Sequence, residues 1–77
     1  MTESQRSRAW RASLNMTRQQ LSDLTGYSPE AIYLFERGLG TTNKPHDPKA
    51  WQRYKLACLA VRFLKHYKTD LNQWEWS

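Results

Sequence analysis

Few residues of this chain are equipped for covalent or metal chemistry. The one cysteine, Cys58, lies inside the apolar run KLACLAVRFL. A buried structural thiol is the expected role there, not a nucleophile. His46 and His66 have no Cys, Asp or His at a metal-ligand spacing, and Asp47 beside His46 is better used as a helix cap. The chain has no G-x-S-x-G, no phosphate-cradling glycine loop and no paired carboxylates suited to acid–base work. No catalytic residue, cofactor or metal site is expected, and the chain does not read as an enzyme. What remains is the chemistry of recognition. The stretch TGYSPEAIYLFERG, residues 25–38, sets Ser28, Glu30, Tyr33, Leu34 and Arg37 on a short helix with marked ends. A plain surface helix would carry Lys or Ala at several of those places.

Composition narrows the partners. The chain has 77 residues and a net charge of +5, with 12 basic against 7 acidic side chains. One small domain is expected, with a core so limited that oligomerisation is a common remedy. The charge points to nucleic acid, an anionic membrane surface or an acidic protein, against the plainer reading of an ordinary basic surface. A lone cysteine excludes an intrachain disulfide and fits a reducing, cytoplasmic setting. No apolar stretch is long enough to span a membrane, and MTESQRSRAW has no secretory h-region.

The elements that must position the recognition residues are all helical. Gly26, Gly38, Gly40, Pro29, Pro45 and Pro48 punctuate helix-friendly segments, and no period-2 strand pattern occurs. A first helix is expected over about residues 3–14, with Trp10 and Leu14 facing the core and Asn15 suited to a left-handed C-terminal position. Thr17 and Gln20 have capping-box spacing and open a second helix, which runs to Thr25 with Leu21 and Leu24 inward and stops at Gly26. Ser28 as N-cap and Pro29 at the first helical position open a third over about residues 29–37, ended by Gly38. A polar loop, LGTTNKPHD, follows. Asp47 and Pro48 then start a long helix reaching residue 67 or 68. Its middle is apolar on almost every side, with one narrow polar stripe of Gln52, Lys55, Arg62 and His66. Such a helix needs burial on more than one side. A second copy of the chain is the simplest cover, and the tail TDLNQWEWS, with Leu71, Trp74 and Trp76, is the alternative.

Two short helices joined by a tight glycine turn, TRQQLSDLTGYSPEAIYLFERG, resemble the Cro/repressor family of helix-turn-helix DNA-binding domains, the lambda repressor-like or XRE-like regulators. The resemblance covers about residues 10–38 and rests on Leu21, Gly26, Ser28, Ile32, Phe35, Glu36 and Gly38. Ser22 stands where the family usually has Ala, and one long helix replaces its two short closing helices. The resemblance implies an all-α domain of four to five helices. It implies a structural ion pair between Arg11 and Glu36, with a solvated Arg11 near phosphate as the alternative. It implies phosphate contacts from Thr17 and Arg18 at the start of the second helix and from Thr41, Thr42, Asn43 and Lys44 after the third. It implies base readout from Ser28, Pro29, Glu30, Tyr33, Leu34 and Arg37.

The residues themselves qualify that readout. Pro29 has no N–H to donate. Glu30 can accept from a cytosine amine, Tyr33 can bond a phosphate or pack on a thymine methyl, and Arg37 can read guanine or phosphate. Leu34 offers apolar contact alone, and it and Tyr33 have internal packing as their other reading. The expected function is a prokaryotic or phage transcriptional regulator, most simply a repressor, which binds a pseudo-palindromic site on double-stranded DNA as a homodimer. The rivals are a protein-interaction module of antitoxin or antirepressor kind, using the C-terminal tail, and an excisionase-like architectural binder.

Overall fold

The computed structural model describes residues 2–39 and 44–68, and within them the chain is all-α, with four helices: α1 Glu3–Ser13, α2 Arg18–Thr25, α3 Pro29–Arg37 and α4 Pro48–His66. Each start has a local cause. Thr2 caps α1 and Thr17 caps α2, both in full capping boxes closed by Gln5 and Gln20. The Thr2–Gln5 box has the same T-x-x-Q spacing as the one recognised at Thr17. Ser28 caps α3 by accepting from Ala31 N–H at 3.1 Å, with Pro29 in its first turn. Asp47 caps α4 by accepting from Lys49 N–H at 3.2 Å.

The ends are equally determined. α2 stops at Gly26 and α3 at Gly38, with φ of 81° and 94°. Asn15, just past α1, also takes a left-handed φ of 54°. Gly38 is needed twice over, because a Cβ there would meet Ser4 Oγ of α1 at 3.0 Å. The start of α1 is thereby held close against the end of α3. An isolated bridge between Leu39 and Pro45 draws together the two ends of the loop that separates α3 from α4. α4 ends at His66, one or two residues short of the expected 67 or 68, and Tyr67 caps it through N–H bonds to the carbonyls of Lys65 and Phe63.

Met16, Leu21, Ile32, Phe35, Tyr54 and Val61 form the buried core, with Trp10, Leu14, Tyr27, Ala50, Trp51 and Cys58 packed around it. α3 lies against both α1 and α2, and α4 closes on α2. The centre is aromatic. Phe35 stacks on Tyr54 with centroids 4.3 Å apart and on His46 at 4.2 Å. Tyr27 meets both Phe35 and Tyr54 edge-on. One expected core position differs. Leu24 keeps 39% of its surface exposed whereas Leu21 keeps none. Three residues along a helix leave the two side chains about 60° apart, and Leu21 alone lies on the line of contact.

Candidate nucleic-acid interface

Burial divides α3 lengthwise. Ile32, Phe35 and Glu36 are buried. Glu30, Tyr33 and Arg37 are exposed, and Pro29 and Leu34 are half-buried. Positions 30, 33, 34 and 37 follow the i, i+3, i+4, i+7 spacing of one helix face. That face therefore presents a carboxylate near the N-terminus, a phenol in the middle and a guanidinium at the C-terminus, the two charged groups each favoured by the helix dipole where they stand. Leu34 contributes less than the others, since it is half-buried. Its carbonyl accepts from Gly38 N–H and from His46 Nε2 at 2.9 Å. Ser28 is exposed, but one lone pair of its hydroxyl oxygen is taken by the capping bond, which leaves its O–H proton and one lone pair to offer.

The buried edge of α3 carries a charge. The Glu36 side chain is 2% exposed and accepts from Arg11 twice, at Nε 2.6 Å and Nη2 3.0 Å, in a bidentate pair. Arg11 Nη1 donates to the Met16 carbonyl at 2.7 Å. The hydrogen bonds to Glu36 raise the Arg11 pKa above its ordinary value, against the opposing pull of burial. The structural pairing expected for Arg11 and Glu36 is thus present, and the alternative of a solvated Arg11 is not.

A second arginine joins them, which the sequence did not announce. Arg18 Nε donates to Glu36 Oε1 at 3.2 Å, and the Arg18 guanidinium carbon sits 5.1 Å from the centroid of the Tyr33 ring. Arg18 is therefore not a loose surface cation. It is strapped between α2 and α3 and braces Tyr33 from one side. Its side chain remains 38% exposed, and its Nη groups have no hydrogen-bond partner among the described residues. Those N–H groups are the part left for an external anion. Thr17 is exposed, yet its hydroxyl accepts from Gln20 N–H at 3.1 Å and its own N–H donates to Gln20 Oε1 at 2.9 Å. The first-turn amides of Arg18 and Gln19 are left pointing outward instead, as at any helix start.

Of the four loop residues expected to touch phosphate, Lys44 is exposed; Thr41, Thr42 and Asn43 lie outside the described residues. His46 was missed as a contributor. It binds the end of α3 through the Leu34 carbonyl and stacks on Phe35, so it ties the loop to the helix. A histidine in a polar loop gives no sign of this in sequence. Among the described residues no group of His, Cys, Asp and Glu could hold a metal ion, and no helix is long and apolar enough to cross a membrane. No family model, no curated protein and no solved structure matches the chain.

Proposed function

We propose that this protein is a sequence-specific DNA-binding regulator of the helix-turn-helix kind, with α3 as the recognition helix. The observation that carries the reading is Arg18 against Tyr33. It places a cation suited to phosphate, at the first turn of α2, within 5.1 Å of the central residue on the exposed face of α3. DNA recognition needs that juxtaposition, because phosphate contacts set the register in which base contacts are made. The net charge of +5 favours the same partner. In this reading Glu30, Tyr33 and Arg37 reach base edges, Leu34 and Pro29 give apolar contact, and Arg18 and Lys44 hold the backbone.

The regulator acts as a homodimer in this account. Leu56, Leu59 and Phe63 of α4, and Tyr67 at its C-cap, are each more than half exposed. Phe63 is nine residues from the fully buried Tyr54, which is half a turn out of phase, so α4 has an apolar face directed away from its own core. Pairing of two such faces would set two copies of α3 against successive major grooves about 34 Å apart. Occupancy of a promoter would then repress it, the simplest mode open to so small a chain. The same apolar face favours a second reading, an interaction module of antitoxin or antirepressor kind that binds a different protein. Selection of bound sites from random DNA separates the two. A regulator enriches a motif, whereas a module of the second kind enriches none.

A further inference from the structure

An open groove of about 700 Å³ lies between α1 and α4. Trp10, Trp51 and Leu59 give it apolar walls, and Cys58 lines it as well. Its rim is basic. Lys55 is already bound to Glu3 at 3.0 Å, but Arg6 and Arg62 have no acidic partner among the described residues. We propose that this groove is the docking site of the chain's own C-terminal segment, residues 69–77, bound by the same molecule that carries it.

Charge, composition and reach all favour that occupant. The segment TDLNQWEWS contains Asp70 and Glu75 and no basic residue, together with Leu71, Trp74 and Trp76. It offers acids to a rim of arginines that have no acidic partner among the described residues, and large apolar groups to apolar walls. The chain also leaves α4 in a suitable way. Lys68 has a φ of 51°, the left-handed conformation that turns a chain off the helix axis. At about 1.5 Å per helical residue, Arg62 lies roughly 9 Å back along α4 from Lys68, Cys58 roughly 15 Å and Trp51 roughly 25 Å. Nine extended residues reach about 30 Å. A segment running back along α4 brings Asp70 level with Arg62, Gln73 level with Cys58, and Trp74 level with Lys55 and the α1 residues facing it. The groove shares Leu56 and Leu59 with the exposed apolar face of α4, whereas Phe63 and Tyr67 lie outside its lining and stay open for a second copy. The inference does not depend on DNA binding.

The single native cysteine supplies the test. Gln73→Cys in the full chain sets a second thiol beside Cys58, with Gln19→Cys on exposed α2 as the control. Burial holds the Cys58 thiol above its ordinary pKa, so oxidation is run at about pH 9. The expected product is an intrachain disulfide in most Gln73→Cys molecules, and at least several-fold less in the control. In the Gln73→Cys background, Arg62→Glu should lower that yield several-fold and Asp70→Arg added to it should restore it. Circular dichroism confirms that each variant keeps its helices. A disulfide no more frequent than in the control overturns the proposal. So does a mainly interchain product, which would give the groove to a second copy, and so does a yield indifferent to the charge changes.

Discussion

Glu36→Gln tests the packing logic at the point where fold and site meet. The substitution keeps the side chain's volume and removes its charge. In the native chain three N–H groups from two arginines converge on this carboxylate, whose side chain is 2% exposed. After substitution, an amide NH₂ faces guanidinium N–H groups, donor against donor. Arg11 has no escape by losing its proton, since its guanidinium stays charged at any ordinary pH. Its side chain is 13% exposed, so water compensates little. Breaking a buried pair by removing one partner costs about 3–5 kcal/mol. The lower end applies here, because Arg18 on the other side of Glu36 is 38% exposed and admits solvent. A core of this size rarely supplies more than about 3–5 kcal/mol in total. Glu36→Gln should therefore bring the domain close to its unfolding midpoint at room temperature. With a urea slope of roughly 1 kcal/mol per molar, the midpoint falls by about 3 M, or no folded baseline remains. Far-UV circular dichroism in a urea titration reads it. Replacing both partners, Arg11→Met with Glu36→Met, should recover much of the loss, because no unpaired charge is then left inside. A midpoint for Glu36→Gln within about 0.5 M of the native chain would refute the reasoning. A double variant no better than the single one would refute it too.

Further outcomes are expected. Arg18→Ala and Lys44→Ala should each weaken binding to all DNA sequences alike and reduce the slope of log affinity against log salt by about one, as measured by fluorescence anisotropy. Arg18→Ala should also lower stability by less than about 1 kcal/mol, in contrast to Glu36→Gln, because its side chain is partly solvated. Tyr33→Ala and Glu30→Ala should relax sequence preference at defined base positions by about 1–3 kcal/mol, with the folded fraction unchanged; identical selected motifs for native and variant chains would remove those residues from readout. Phe63→Asp should convert a dimer to a monomer in sedimentation equilibrium without melting the helices. Cys58 should alkylate more slowly than a free thiol at neutral pH and catch up only at higher pH, because burial raises its pKa and keeps the thiolate fraction low. Unfolding in urea should abolish that lag.

The helix ends were the most legible part of the fold. Thr17 with Gln20, Ser28 with Pro29, Asp47 with Pro48, and the two stop glycines act within a few residues, so their types and spacing carry their structural meaning. The pairing of Arg11 with Glu36, separated by 25 residues, was legible only through resemblance to a known pattern. The second arginine on the same carboxylate was not. Arg18 looked like a surface cation at a helix start, and nothing local reveals that α3 passes close enough for Glu36 and Tyr33 to hold it. His46 was obscure for the same reason, since its role depends on where the loop returns relative to Phe35. Leu24 shows the reverse error: its apolar character suggested burial, but a two-turn helix offers only a narrow contact line, and Leu21 occupies it. The apolar excess of α4 was legible as a need for cover, and three of its large side chains, with Tyr67 just past its end, are more than half exposed.

The central claim is that the exposed face of α3 reads DNA in a symmetric dimer. The most direct test is selection of bound sites from random double-stranded DNA, followed by native mass spectrometry of the complex with the selected site. The account predicts an inverted repeat whose half-site centres lie about one helical turn apart, or a whole multiple of it, with two chains per duplex. Failure to enrich any motif, or a single chain on an asymmetric site, would contradict it.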